Sequence, residues 1–242
     1  MKICVIQARS ATGDIQQNII NHKKLIALAI AYKADTIIFP ELSITGYEPS
    51  LTKALATGKD DSRFDDFQEI SDSHGVTIGI GVPTRNDTAP RISMVIFQPG
   101  KARELYSKKY LHADEEPFFT SGENLTGLKN GNTHIALAIC YELSVPDHSE
   151  NAYKSGASVY LTSVAKTPRG VEKAVQSLST IAANYSMTVL MANCVGECEG
   201  ETAGGKTSIW NNKGVLLGQL NDTDEGLLII DTRTQEVIEK SL

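Results

Sequence analysis

The sequence predicts a layered α/β fold made of two halves with the same element order. Three observations carry this expectation. Apolar, β-prone runs alternate with segments of helical period along the chain. The run Ile135 to Ile139 is apolar throughout, as strands buried on both faces are. The order β-α-β-α-β-β-β occurs twice, which predicts two similar sheets packed on each other with helices outside.

The elements follow in turn. Ile3 to Ala8 is a short apolar run and reads as a strand. Ile15, Ile19, Ile26 and Ile30 recur at helical spacing. Thr36 to Phe39 is a compact strand ending at Pro40 and Glu41. Phe64, Phe67 and Ile70 mark one face of a second helix that stops near Gly75. VTIGIGV, ISMVIF and ARELYS read as strands, the first two separated by the breaker-rich PTRNDTAPR. In the second half His134 to Ile139 is a strand, and a helix starts after Pro146 and ends near Gly156. SVYLTSV is a strand, Val171 to Met187 a helix and TVLMANC a strand. TSIW and GVLLGQL form a hairpin across NNKG, and GLLIID is the last strand.

Composition bounds the function. The chain has 242 residues, 41% hydrophobic and 21% charged, as in an ordinary globular protein. A formal net charge of -6 without a basic stripe argues against a nucleic-acid partner. No apolar stretch approaches a membrane span, and MKICVIQAR is too short in apolar residues for a signal peptide. These features point to a cytoplasmic protein with reduced thiols at Cys4, Cys140, Cys194 and Cys198. Cys194 and Cys198 form the close pair, but CVGECEG adds only carboxylates where a zinc site favours nitrogen and sulfur ligands.

Three polar residues stand out by position. Glu41 follows the second strand of the first half, Lys108 follows its last strand, and Cys140 ends the first strand of the second half. Ligand sites of open α/β sheets gather beyond the carboxyl ends of strands. A carboxylate, an ammonium and a thiol in one cleft suit acyl transfer. The thiol reacts as thiolate, ordinarily with a pKa of about 8.5. Glu41, partly buried, takes its proton. Lys108 favours the thiolate and, with the Tyr141 N–H, holds the oxyanion. Water then hydrolyses the thioester. A Cys-His enzyme is the competing reading, with His112 and His148 as its candidate partners.

These residues lie in stretches that resemble the nitrilase superfamily of carbon-nitrogen hydrolases over nearly the whole chain. FPELSITGY (39–47) is similar to the family's glutamate motif, YSKKYL (106–111) to its lysine motif and AICYELSVP (138–146) to its cysteine motif. DEEPFFTSG resembles the stretch carrying a second glutamate, and counting back from Phe118, Phe119 and Gly122 favours Glu115 over Glu116. The resemblance implies one carbon-nitrogen hydrolase domain over 1–242. Its fold would be a four-layer α-β-β-α sandwich with internal pseudo-two-fold symmetry. It also implies a homodimer or higher homo-oligomer, no cofactor and no metal. Glu41 would be the base, Cys140 the nucleophile, Lys108 the oxyanion partner and Glu115 the residue holding Lys108. Tyr47, Tyr141, Glu142 and Ser163 are the candidate substrate-binding residues. Ser144 stands where many members carry an arginine. The expected reaction is hydrolysis of a small non-peptide amide through a cysteine thioester. A nitrilase, an N-carbamoyl hydrolase and a catalytically idle binding subunit are the alternatives.

Overall fold

The computed structural model describes residues 1–123, 127–130 and 133–242. Residues 124–126 and 131–132 lie outside the described residues. The first half runs β1 (Lys2–Arg9), α1 (Ile15–Ala31), β2 (Thr36–Ile38), the one-turn α2 (Thr52–Leu55), α3 (Asp65–His74), β3 (Thr77–Thr84), β4 (Arg91–Phe97) and β5 (Glu104–Ser107). The second half opens with β6 (Gly127–Asn130), β7 (Thr133–Ile139), α4 (Pro146–Lys154), β8 (Val159–Ser163), α5 (Pro168–Tyr185) and β9 (Thr188–Ala192). Short β10 (Cys194–Val195), β11 (Glu197–Cys198) and β12 (Glu201–Thr202) precede β13 (Ser208–Trp210), β14 (Leu216–Gln219), β15 (Gly226–Asp231) and β16 (Val237–Ser241).

Local chemistry sets several boundaries. The Asp14 side chain accepts from the Gln17 N–H at 3.0 Å and caps α1. Gly75 at φ +67° ends α3 where the sequence predicts a stop, because a residue without Cβ enters the left-handed region freely. Proline in the first turn opens both α4 and α5, so α5 starts at Pro168, ahead of the expected Val171.

One sheet has the order β16-β15-β1-β2-β3-β4-β5, and the other β14-β13-β9-β8-β7-β6. The parallel triplet β1-β2-β3, with antiparallel β4 and β5 beyond, is matched by the parallel triplet β7-β8-β9 with β13 and β14. This repeated strand order is the internal pseudo-symmetry in physical form. One departure concerns GLLIID, which does not close the second sheet. As β15 it pairs antiparallel with β1, Lys2 opposite Asp231. Leu227 and Ile229 fill one core while Leu228 and Ile230 fill another, so β15 needs a sheet position covered on both faces. β6 and β16, both at sheet edges, carry too little apolar pattern to be read from the sequence.

The result is a four-layer α-β-β-α sandwich, and its alternation is visible residue by residue. Ile3 and Val5 of β1 face the central core with Ile135, Leu137 and Ile139 of β7. Cys4, Ile6 and Ala8 face the outer core with Ile19 and Ile26 of α1 and Phe67 of α3. Ala136 and Ala138 face the other outer core with Val171, Leu178 and Ala182 of α5. Two covered faces explain why these strands read as unbroken apolar runs.

The interior also contains a close approach that no apolar count reveals. A Cβ on Gly81 of β3 would collide with the backbone of Pro40, Glu41 and Leu42. Gly81→Ala is therefore expected to destabilise the protein by about 1–3 kcal/mol, as overpacking does. Thermal unfolding should show this, whereas Gly58→Ala, with nothing within 4 Å, stays within about 0.5 kcal/mol of the parent. An unchanged melting temperature in Gly81→Ala would contradict the close approach.

Candidate active site

Three strand ends build the site, as the residue positions suggest. Glu41 lies in the turn three residues beyond the end of β2, Lys108 directly follows β5, and Cys140 directly follows β7. Gly122 packs so tightly on Ser107 that a Cβ would meet the Ser107 carbonyl, and its N–H donates to the Lys108 carbonyl at 2.7 Å. The Lys108 N–H donates to Ile92 O at 2.8 Å. The lysine backbone is thus clamped on both sides.

The Lys108 side chain is fully buried, and its ammonium donates to Glu41 Oε1 at 2.8 Å and to Glu115 Oε1 at 2.5 Å. One cation between two buried carboxylates leaves an excess negative charge. Neutral donors complete the balance. The Tyr47 hydroxyl donates to Glu115 Oε1 at 3.0 Å, the His112 N–H to Glu115 Oε2 at 2.7 Å, and the Ala165 N–H to Glu41 Oε2 at 3.2 Å. Glu115 is buried and Glu116 exposed, so Glu115 is the glutamate on the lysine. Burial pushes the Glu41 carboxyl up, and Lys108 opposes that push. For Lys108, burial works against the ammonium, but Glu41, Cys140 and Glu115 outweigh it and the net shift is upward.

Cys140 sits at φ +43° at the start of a 3₁₀ turn, Cys140–Ser144. A non-glycine residue in this region is strained, by about 1–3 kcal/mol. Cys140, at this bend, lines a cleft of about 540 Å³. Burial and then the Glu41 charge push the thiol pKa up to about 11, against the pull of Lys166 and Lys108. Lys108 does favour the thiolate, as expected, but its pull is smaller than the push of burial and of Glu41.

Tyr47, Glu115, Cys140 and Tyr141 line the cleft together with His112, Asp114, Lys166, Thr167 and Cys198. Glu142 and Ser163, expected at the substrate, do not. The Ser163 hydroxyl is buried and donates to Phe39 O at 2.8 Å, tying β8 to the Glu41 turn. Glu142 is fully buried. Its Oε2 accepts from the Ile139 N–H at 2.8 Å and the Tyr106 hydroxyl at 2.6 Å, and its Oε1 accepts from the Lys109 N–H at 2.7 Å. It thus links the residue before Cys140 to the residue after Lys108. His148 adjoins Glu142 at 3.6 Å, but burial and then Lys109 lower its pKa to about 4, so it is neutral there at pH 7. His112 pairs with Asp114 at 2.6 Å at the cleft mouth. Neither histidine bonds Cys140 among the described residues, and the Cys-His reading lacks its pair.

Lys166 was missed from the sequence, although a signal existed. It lies three residues beyond the end of β8, as Glu41 lies three beyond the end of β2, and the two strands are equivalent in the pseudo-symmetric halves. Ser144, at the arginine position of many relatives, is exposed in a groove beside α5, outside the cleft.

Layering of this kind defines the fold class: an α-β-β-α sandwich. The chain superposes on an amidase of the nitrilase superfamily from Nesterenkonia with a TM-score of 0.86, 24% identity, and coverage of 96% of this chain and 91% of the other. More narrowly, the chain belongs to the carbon-nitrogen hydrolase family, whose sequence model matches residues 2–240. A hydrolase encoded in the agr operon of Staphylococcus aureus is 24% identical over 98% of this chain and 93% of its own length. The glutamine-dependent NAD(+) synthetase of Thermotoga maritima is 23% identical over the whole of this chain. This chain spans only 44% of that synthetase. No helix among the described residues is long and apolar enough to cross a membrane.

Removing the central cation tests this electrostatic arrangement. Lys108→Met leaves two buried carboxylates without their counter-ion, which is expected to cost about 3–5 kcal/mol at pH 8. A carboxyl whose folded pKa lies above its unfolded value of about 4.3 destabilises the fold above that window, and less as pH falls toward it. The gap to wild type in denaturant titrations should therefore narrow between pH 8 and pH 5. A gap independent of pH would contradict the buried-charge account.

Proposed function

We propose that the protein hydrolyses a small non-peptide amide through a Cys140 thioester and releases ammonia or an amine. The observation that carries this reading is the Lys108 ammonium bridging Glu41 and Glu115 at 2.8 and 2.5 Å, with Glu115 of that cluster and Cys140 lining one cleft.

In this reading Cys140 rests as a thiol, because its pKa of about 11 lies far above neutrality. As sulfur attacks the amide carbon, Glu41 takes the thiol proton. The Lys108 ammonium and the Tyr141 N–H hold the oxyanion; one such donor is typically worth about 3–4 kcal/mol. The protonated Glu41 hands its proton to the departing nitrogen, the C–N bond breaks, and the acyl thioester remains. Water then attacks with Glu41 as base, the carboxylic acid leaves, and the thiol is restored. Glu115 fixes Lys108 so that its charge faces the reacting carbon rather than pairing with Glu41 alone.

Relatives support the substrate class. The Nesterenkonia amidase has been solved in complex with butyramide and with the acetamide moiety of fluoroacetamide added at its active-site cysteine. An (R)-stereoselective amidase from Pseudomonas is 24% identical over 66% of this chain.

Glu41→Gln tests both roles of the carboxylate. Losing a general base is expected to lower ammonia release by about 10²–10⁴-fold. Losing its negative charge should also bring the Cys140 pKa below about 11, since Glu41 raises it and Lys166 and Lys108 remain. Thiolate absorbance, taken as the difference from Cys140→Ser, follows this titration. Near-normal turnover, or a thiol that titrates higher than in wild type, would sink the assignment.

A further inference from the structure

We propose that His22 is a positioning residue for the catalytic base: from helix α1 it holds the turn that carries Glu41, through the Ser43 hydroxyl and the Phe39 ring. The inference rests on the amidase reading above, in which Glu41 moves the proton, and adds the group that aims it.

The Glu41 turn needs outside support. Leu42, the next residue, sits at φ +50°, a left-handed conformation that a side chain with a Cβ adopts only at a cost. Such backbone persists where its surroundings over-determine it. The Ser43 N–H donates to Pro40 O at 3.2 Å and the Ile44 N–H to Gly81 O at 3.0 Å. The Ser10 hydroxyl donates to Ser43 O at 2.8 Å. These contacts secure the backbone on the strand side. The Gly81 N–H also donates to Ser43 Oγ at 3.3 Å. The Ser43 hydroxyl, buried in the turn, still has its own hydrogen to place.

His22 takes that hydrogen. Its Nδ1 lies 2.7 Å from Asn18 O, an atom that only accepts, so the imidazole hydrogen is assigned to Nδ1. Nε2, 2.9 Å from Ser43 Oγ, is then the acceptor for the serine hydroxyl. Burial lowers the pKa of His22 to about 3, against the opposing pull of the Asn18 carbonyl. The ring is therefore neutral at pH 7 and keeps its acceptor lone pair. The same ring stacks on Phe39, with centroids 4.0 Å apart and planes 16° from parallel. His22 thus grips the residue two before Glu41 and the residue two after it. Asn18, one helical turn earlier on the same face of α1, donates to Ile44 O at 2.9 Å and to Ala11 O at 2.8 Å. Around these two, Ile19, Leu25 and Ile26 of α1 fill the outer core. Buried polar side chains on an apolar face are a cost unless paired, and both reach the turn that carries Glu41.

The test compares four variants with butyramide as substrate. His22→Leu removes the acceptor, and Ser43→Ala removes the hydroxyl with little change of volume. His22→Gln brings an amide oxygen toward the place of Nε2, and Ile19→Val is a packing control on the same helix. His22→Leu and Ser43→Ala are expected to lower kcat about tenfold at nearly constant KM, because small misplacements of a reacting group are costly in rate. His22→Gln should restore most of that loss, and Ile19→Val should keep the wild-type kcat. A displaced Glu41 also pushes the thiol less, so Cys140 should titrate below about 11 in both loss variants. Thiolate absorbance, taken against the matching Cys140→Ser proteins, reports this without turnover. Should His22→Leu not fold, Ser43→Ala and His22→Gln decide. A folded Ser43→Ala with wild-type kcat or with wild-type thiol titration overturns the proposal. So does an equal kcat loss in Ile19→Val, or a His22→Gln no more active than Ser43→Ala. If wild type releases no ammonia from butyramide or other small amides, the amidase reading fails. The thiol titration then decides His22 alone: a lowered value in Ser43→Ala supports it, and an unchanged value refutes it.

Discussion

The site depends on one buried cation shared by two buried carboxylates. Desolvating three charges is expensive, and the attraction among them offsets this only when every remaining lone pair finds a donor. Here the donors come from separate segments: Tyr47 from the turn after β2, His112 from the loop after β5, and Ala165 from the loop after β8. The charge balance therefore ties those loops into one unit. The leftover negative charge has a chemical consequence. Burial, and then the Glu115 charge, keep Glu41 proton-hungry against the pull of Lys108, while the Cys140 thiol stays protonated, which suits proton transfer during attack rather than a standing thiolate.

A third buried carboxylate complements the first cluster without touching its atoms. Glu142 bonds the backbone next to Cys140 and the backbone next to Lys108, with Tyr106 on its flank. The left-handed bend at Cys140 needs such a hook, since a strained backbone persists only where its surroundings over-determine it. Close backbone approaches at Gly81 and Gly122 serve the same end for Glu41 and Lys108. Side-chain volume at those two points would separate the strand ends that carry the chemistry. Loop residues here are positioned by buried polar contacts and by missing Cβ atoms as much as by apolar packing.

The cleft divides its charges by depth. Lys108 and Glu41 are buried behind the lining, Glu115 and Lys166 lie in the wall with Cys140, and Asp114, Glu199 and Glu201 are exposed at the mouth.

Much of this was legible in the residues. The apolar runs of β1, β7, β8 and β9 and the helical spacing in α1 and α5 define the layered fold, because both faces of each strand must be covered. Glu41, Lys108 and Cys140 were visible as polar residues closing apolar strands, and Glu115 as part of a recognisable stretch. Other features required the folded chain. β15 left its own half for β1, a long-range pairing that local pattern does not encode. Glu142 and Ser163 sit beside the site in sequence, yet burial turned both inward to backbone partners. Lys166 is an ordinary lysine on paper and acquires its meaning from the pseudo-symmetric placement of β8 opposite β2. Hydrophobic periodicity locates the strand ends, so the polar groups that close them are readable from the residues. Which of those groups line the cleft and which are buried behind it depends on how two sheets and their loops pack against each other, and that emerges only in the folded chain.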